Sequence, residues 1–181
     1  MNLRIISGTV GGRIIAAPDG NKTHPMGERI RNALFNIIGD EVKGANVLDA
    51  FAGTGSLGIE AISRGAKHAI FLERDAKAYE AIVANIASLD VGDRAKPVKV
   101  PVASWIATHD DELFDIIFAD PPYGDTQFST VTKLMGLLKP GALMVLSQPG
   151  RDECPTGPGV VVVDNRSYGD ATLVFFRLEG A

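Results

Sequence analysis

The segment DPPYGDTQF, residues 120–128, follows the apolar run FDIIFA and carries groups that could act on a nucleic-acid base. The Asp120 carboxylate and a backbone carbonyl of Pro121 or Pro122 can accept both N–H groups of an exocyclic amine, turning the nitrogen lone pair toward a methyl donor. Proline fixes its own φ and has no competing N–H, so the acceptors are held in place beforehand. Tyr123 offers a face on which a flipped or unpaired base can stack. These residue types indicate amino-group methylation, and the alternative is a rigid turn with a buried tyrosine.

A second segment, DAFAGTGSLG (49–58), contains a G-x-G-x-x-G pattern that starts at Gly53, between a predicted strand and a predicted helix. Such glycines let the backbone turn sharply and approach a nucleotide closely, and Glu73 at the end of the next strand is placed to bind a ribose diol. A dinucleotide would bring its pyrophosphate beside Asp49, where like charges repel. S-adenosylmethionine is cationic at its ammonium and sulfonium groups, so the pattern favours this cofactor over a dinucleotide or a plain tight turn.

The stretches around both motifs alternate between short apolar runs and amphipathic segments, which is typical of a parallel sheet with helices on both faces. Ligands of such sheets bind outside the carboxyl ends of the strands, so Asp120 is expected to face the cofactor. A turn at YGD predicts a final antiparallel hairpin, and RIIS and GRIIAA predict a small hairpin near the N-terminus. Strands are predicted at 46–50, 69–73, 95–100, 114–119, 142–147, 159–164 and 171–178, and helices at 27–38, 56–64, 76–89 and 128–138.

The composition predicts a single domain over 1–181, with an N-terminal extension over 1–39 and a core over 40–181. No apolar run approaches the roughly 20 residues that span a bilayer and no signal-peptide pattern is present, so we expect a cytoplasmic protein without a membrane partner. The single Cys154 has no partner for a disulfide or a metal site, and no metal is expected. A net charge of −4 provides no broad electrostatic surface for naked nucleic acid, although several arginines lie near the N-terminus.

The chain resembles the RsmD-type methyltransferases, which modify the exocyclic amino group of one guanine in bacterial small-subunit ribosomal RNA. The resemblance is carried, in order and spacing, by RIISGTVGGRI, HPMGERIRNALFNIIGD, VLDAFAGTGSLGIEAISRGA, FDIIFADPPYG and YGDATLVFF. It covers essentially the whole chain. It implies an α/β, Rossmann-like methyltransferase fold: a seven-stranded, mostly parallel sheet with the last strand antiparallel, plus a small N-terminal β-hairpin and helix.

The resemblance also implies a set of site residues. The catalytic residues that hold the target base would be Asp120, Pro121 and Tyr123. The residues that bind S-adenosylmethionine would be Asp49, Phe51, Gly53, Gly55, Glu73, Arg74, Val102 and Ala103. The contacts with substrate RNA would come from Pro122, Arg13, Arg29 and Arg31.

Three features depart from the family pattern. Val102 and Ala103 stand where many relatives have an Asp that binds the adenine amino group, so adenine recognition is expected to use backbone or apolar contacts. The start of the N-terminal helix reads HPMG, with His24 and Met26 where Arg and Thr are usual. The turn GTVGG is less basic than in relatives. The last two departures suggest a different ribosomal RNA context.

Three other functions remain open from the sequence. A nicotinamide-dependent oxidoreductase would need pyrophosphate beside Asp49 and would leave DPPY without a role. A DNA adenine amino-methylase would use the same tetrapeptide, but the chain has no obvious additional domain to recognise a DNA sequence. A non-catalytic RNA-binding factor would keep the fold without needing Asp120. The acidic net charge suggests that an RNA substrate is presented within an assembling small ribosomal subunit.

Overall fold

The structure is a computed structural model, and it describes residues 2–18, 26–122, 124–150 and 153–180. The strands of this part are β1 (Asn2–Arg4), β2 (Ile14–Ala16), β3 (Asn46–Asp49), β4 (His68–Glu73), β5 (Ala95–Lys99), β6 (Phe114–Ala119), β7 (Leu138–Pro149), β8 (Val160–Tyr168) and β9 (Ala171–Leu178). Its α-helices are α1 (Glu28–Ile38), α2 (Ser56–Ser63), α3 (Ala76–Leu89), α4 (Val102–Thr108) and α5 (Phe128–Met135). No helix in these ranges combines the length and apolar character needed to cross a membrane.

Seven strands form the central sheet in the order β5-β4-β3-β6-β7-β9-β8. The five strands from β3 to β7 are parallel, and β9 runs antiparallel to both β7 and β8. The predicted Rossmann-like fold, with its antiparallel last strand, is confirmed, as is the separate N-terminal hairpin of β1 and β2. Because the chain leaves β3 toward β4 and later returns to pair β6 with β3, the direction of winding reverses between β3 and β6.

Successive residues of the inner strands face two separate apolar layers, as expected for a sheet covered on both faces. Val47 and Ile116 pack in the layer that contains α1, α2 and α3, while Leu48 and Ile117 pack in the layer of α4 and α5. All four side chains are fully buried. This alternation determines which side chains of each strand pack against which helices. The packing in turn fixes the orientation of each strand and the position of its end.

The structure extends the strand predicted at 159–164 to Tyr168, as β8, and it differs from the predicted elements in two further places. Helix α5 ends at Met135, before the predicted 138, because Leu138 pairs with Phe114 and begins a longer β7. Helix α4 was not predicted: its seven residues are too short to show a helical repeat of apolar positions.

The N-terminal hairpin, here β1, β2 and residues 5–13 between them, is anchored on α2 by buried polar groups. The Glu60 carboxylate accepts the backbone N–H groups of Ile6 at 2.9 Å and Ser7 at 3.1 Å. The Ser63 hydroxyl donates to the Ser7 carbonyl at 2.6 Å and accepts from the Val10 N–H at 3.1 Å. A side chain at Gly8 would place its Cβ 1.9 Å from the Ser63 carbonyl oxygen, so this approach requires glycine.

Candidate active site

A cavity of about 260 Å³ opens at the carboxyl ends of β3, β4 and β6. It lies next to the point between β3 and β6 at which the direction of winding reverses. Its wall includes the loop between β3 and α2, residues 50–55, which we call the glycine loop. Nine of the site residues predicted from the sequence line this cavity: Phe51, Gly53, Glu73, Arg74, Val102, Ala103, Asp120, Pro121 and Pro122. The ends of three neighbouring strands therefore bring the glycine loop together with Asp120, Pro121 and Pro122 around one cavity.

Glu73 fixes the glycine loop in place. Its Oε1 accepts the Gly53 N–H at 2.9 Å, and its Oε2 accepts the Asp75 N–H at 2.8 Å. Each carboxylate oxygen retains a further lone pair, so the same group can accept hydrogen bonds from a hydroxylated ligand. Glu73 thus organises the loop before any ligand binds and still presents acceptors to the cavity.

The third glycine of the pattern, Gly58, is required by packing. A Cβ at this position would lie 2.3 Å from Cε1 of Phe71 on β4. The absence of a side chain lets α2 pack directly on the sheet, as the last glycine of a nucleotide-binding loop does. Gly55, at φ 82°, starts α2 and does not line the cavity.

Asp49 lies behind the cavity wall. It is 1% exposed, and its Oδ2 accepts the Gly58 N–H at 3.0 Å near the start of α2. Burial raises the pKa of this carboxyl to about 7, the Gly58 hydrogen bond opposes the rise, and the nearby Asp120 and Glu73 charges add to it. The Gly58 N–H, near the start of α2, is a donor that a bound phosphate would use, and here the Asp49 carboxylate already accepts it. The negative charge of Asp49 also disfavours an anionic ligand nearby.

Asp120 follows β6 and lies on the cavity wall with Pro121 and Pro122. Burial raises the pKa of its carboxyl to about 7, and a hydrogen bond from the Ser147 side chain acts in the opposite direction. Near neutral pH the group therefore changes between a carboxylate, which only accepts hydrogen bonds, and a carboxylic acid. Tyr123 lies outside the described residues, and its stacking role stays a prediction.

The three arginines expected at RNA take different positions. Arg31 is fully buried: Nη1 donates to the Met26 carbonyl at 3.3 Å, and Nε lies 3.5 Å from Oε1 of Glu60. A guanidinium enclosed in this way does not reach a phosphate, so the expectation for Arg31 is corrected, and the residue joins α1 to α2 instead. Arg29 is exposed on α1, and Arg13 is exposed while donating to the Ser88 carbonyl at 3.1 Å.

Several cavity residues were not predicted as site residues. Met26 precedes α1 and Gln127 precedes α5; they lie in the segments HPMGERIRNALFNIIGD and DPPYGDTQF, but neither was assigned a contact with a ligand. Leu72 and Val100 lie next to strand ends, and the same rule that placed Glu73 at the cavity would have placed Leu72 beside it. Within the described ranges, no group of three or more His, Cys, Asp or Glu side chains is arranged to hold a metal ion.

Comparison with known proteins agrees with this geometry. The family model described as conserved hypothetical protein 95 matches residues 3–177. The ribosomal RNA small subunit methyltransferase D of Escherichia coli (strain K12) is 33% identical over 86% of this chain and 79% of its own length. A Bacillus subtilis protein provisionally named rRNA methyltransferase YlbH is 32% identical over 98% of this chain and 100% of its own.

A solved structure from Escherichia coli, provisionally assigned as the methyltransferase yhhF, superposes with a TM-score of 0.87 at 28% identity. The superposition covers 100% of both chains, including the N-terminal hairpin as well as the central sheet. The match of the family model extends over nearly the whole chain, and the relatives share both the fold and about a third of the sequence. The chain therefore belongs to the conserved hypothetical protein 95 family, the family of the RsmD-type methyltransferases.

Proposed function

We propose that the protein transfers a methyl group from S-adenosylmethionine to the exocyclic amino group, N2, of a guanine in small-subunit ribosomal RNA. The observation that carries the proposal is the placement of Asp120, Pro121 and Pro122 on the same cavity as the glycine loop. The names of the relatives support methylation of ribosomal RNA. The choice of guanine N2 rests on the resemblance of the DPPY segment and its surroundings.

The cavity fits S-adenosylmethionine better than a dinucleotide because its charged groups favour a cation. Glu73 and Asp120 line it, and Asp49 lies behind it. The apolar side chains of Phe51, Leu72 and Val102 suit an adenine ring. In this proposal Glu73 binds the ribose hydroxyls, Gly53 and Asp49 lie toward the methionine end, and Gly55 shapes the start of α2.

The remaining cofactor contacts come from the ends of β4 and β5. Arg74 lies at the edge of the cavity beside Glu73, and Val102 and Ala103 lie at the start of α4. Because neither Val102 nor Ala103 carries a polar side chain, the adenine amino group is recognised by backbone groups. This arrangement replaces the Asp that many relatives use.

When bound, S-adenosylmethionine supplies an electrophilic methyl group on a sulfonium. The Asp120 carboxylate accepts one N–H of the target amine, and the Pro121 carbonyl accepts the other. These two acceptors turn the nitrogen lone pair away from the base ring and toward the methyl group. The new N–C bond would form as the S–CH3 bond breaks, with S-adenosylhomocysteine as the leaving group. The nitrogen would then carry a positive charge, and Asp120 or water would accept its proton.

The RNA lies on the side of the cavity that is lined by Asp120, Pro121 and Pro122 and by Met26, two residues before α1. Pro122 and Arg29 are exposed there, Tyr123 is expected to stack on the flipped base, and Arg13 extends the surface along the N-terminal hairpin. A net charge of −4 gives weak long-range attraction to naked RNA, so the substrate is an assembling small subunit whose proteins order the target. The protein then acts in the cytoplasm, where subunits assemble.

Transfer of labelled methyl to unmodified small subunits, protein-free rRNA and duplex DNA tests the proposal. The expected product is N2-methylguanosine at one site in subunits, with less in protein-free rRNA, none in DNA and none with Asp120→Ala. Asp125→Ala, a charge change five residues along the same segment, is the matched control and keeps activity. Label only on DNA adenine, or label that persists in Asp120→Ala, would contradict the proposal.

A further inference from the structure

A buried side chain on α3, that of Asn85, joins the N-terminal hairpin to the glycine loop. The residue is 4% exposed. Its Oδ1 accepts the Ala16 N–H at 3.0 Å and its Nδ2 donates to the Ala16 carbonyl at 2.9 Å, so it hydrogen-bonds β2 as a neighbouring strand would. The same Nδ2 donates to the Thr54 carbonyl at 3.3 Å. One carboxamide therefore holds a hairpin strand and the glycine loop together.

The two ends of this connection face different surroundings. Thr54 lines the cavity, whereas Arg13 and Ile14 beside Ala16 are exposed, with Ile14 at 53%. The neighbouring buried positions of α3, Ile82 and Ile86, are apolar. An apolar residue at position 85 would continue that packing, but it would leave the Ala16 and Thr54 backbone groups without these partners. The carboxamide thus specifies a relative position of two segments.

A second buried side chain, that of Arg31, also connects the hairpin to the cavity wall. The buried Arg31 guanidinium donates to the carbonyl of Met26, which lines the cavity, and to the carbonyl of Arg4 in β1. Both strands of the hairpin are therefore joined to the cavity wall through a single buried side chain each. A ligand that fixes the hairpin also fixes two parts of that wall.

We propose that Asn85 is a positioning residue that couples the N-terminal hairpin to the glycine loop, so that RNA held on the hairpin strengthens cofactor binding. The inference rests on the proposed function, in which the hairpin faces RNA. Coupling of this kind is reciprocal: bound cofactor strengthens RNA binding by the same factor. Asn85 itself touches neither ligand.

Equilibrium dialysis of labelled S-adenosylhomocysteine, with and without unmodified small ribosomal subunits, measures the coupling without any methyl transfer. In the wild type, subunits are expected to lower the Kd at least about fivefold, the lower end of common coupling factors. In Asn85→Ala the effect of subunits on the Kd is expected to fall well below the wild-type ratio, because only the connection through Arg31 remains. Ser63→Ala removes the hydroxyl that anchors residues 7 and 10 but leaves the Asn85 contacts, so it keeps the wild-type ratio.

An absence of coupling in the wild type, an unchanged ratio in Asn85→Ala, or an equal loss in Ser63→Ala overturns the inference. If Asn85→Ala does not fold, Asn85→Asp replaces it. That variant keeps the size and the acceptor for the Ala16 N–H, and it loses both donated hydrogen bonds. A protein that shows coupled binding yet methylates no rRNA would contradict the proposed function and sustain the inference, so the two can fail separately.

Discussion

The two walls of the cavity are built in opposite ways. On the glycine-loop side, backbone N–H groups are bound to the protein's own acceptors: Gly53 to Glu73, Gly58 to Asp49 and Ala52 to the Leu72 carbonyl. On the other side, Pro121 and Pro122 have no N–H to bind, and Asp120 contacts Ser147. In the proposed assignment, the glycine-loop wall would bind the cofactor and has its backbone donors already paired, whereas the wall of Asp120, Pro121 and Pro122 would hold the substrate and offers mainly acceptors. The difference predicts that substitutions on the glycine-loop wall change cofactor affinity, whereas substitutions at Asp120, Pro121 or Pro122 change the rate of methyl transfer.

The largest effect is expected from Asp120→Ala. Loss of one of two acceptors on the target amine should lower the methyl-transfer rate about 10²- to 10³-fold, as for other preorganised hydrogen-bonding groups in active sites. The Kd for S-adenosylhomocysteine should change by less than about tenfold, since the glycine loop is untouched. Single-turnover transfer and equilibrium dialysis measure the two quantities. A cofactor Kd that worsens as much as the rate would mean that the two walls do not work separately.

The pH dependence of transfer tests the same carboxylate. With its pKa raised to about 7 by burial, Asp120 is protonated at lower pH and cannot accept both the amine and its proton. At limiting S-adenosylmethionine, kcat/KM should rise at least about tenfold per pH unit below pH 7 and level off above about pH 8. Asp49 titrates in the same range, so Asp49→Asn, which removes that carboxyl, should keep a slope of about tenfold per unit. Saturating cofactor should move the midpoint lower, because the sulfonium favours the carboxylate. A flat profile between pH 6 and 8 would contradict the assignment.

On the rigid wall, Gly58→Ala is expected to lower the free energy of unfolding by about 1–3 kcal/mol, because its Cβ would overlap the Phe71 ring. The displaced α2 should also weaken cofactor binding. Gly92→Ala is the control, since the nearest atom to its Cβ would be 3.9 Å away on Ile86. Urea unfolding distinguishes them, and equal midpoints for both variants would show that α2 can shift without cost.

Asp49→Asn should separate stability from cofactor affinity. The pKa of Asp49 is raised from 3.8 to about 7 in the fold. Below about pH 4 the carboxyl is protonated in both the folded and the unfolded state, so it does not lower stability. Above about pH 7 it is ionised in both states, and the folded state is destabilised by the full amount. The amide keeps the acceptor for the Gly58 N–H. The ligand-free variant should therefore match the wild type at pH 4 and exceed its stability by up to about 4 kcal/mol at pH 8, while binding the cationic cofactor more weakly. Thermal unfolding across this pH range checks the crossover.

The smallest effect is expected from Arg29→Ala. An exposed arginine that meets one phosphate should raise KM for the RNA substrate a few-fold, lower the salt dependence, and leave cofactor affinity unchanged. Arg74→Ala is the useful comparison, because Arg74 lies on the cofactor cavity. A similar change in cofactor Kd for both variants would contradict the proposal that Arg29 contacts RNA.

The sequence predicted the part of the site that follows from the topology of a parallel sheet. Gly53, Glu73 and Asp120 lie at strand ends, and the rule that ligands bind there brought them together. The burial of Arg31 could not be predicted. An arginine in an amphipathic helix does not reveal from sequence whether it will pair with a carboxylate on another helix, as Arg31 does with Glu60. Glu60 and Asn85 were missed for the same reason, since their backbone partners lie 53 to 69 residues away.

Anchoring the hairpin on α2 and α3 also has a consequence for synthesis. Residues 6, 7 and 16 leave the ribosome before Glu60 and Asn85, which bind them and follow after 53 to 69 further residues. Docking of the hairpin therefore waits for the middle of the chain, and the loop closure over this distance makes it a slow, non-local step. We expect nascent chains that end before α3 to leave the hairpin undocked and accessible to proteases, and a chain long enough for α3 to have left the ribosome to protect it.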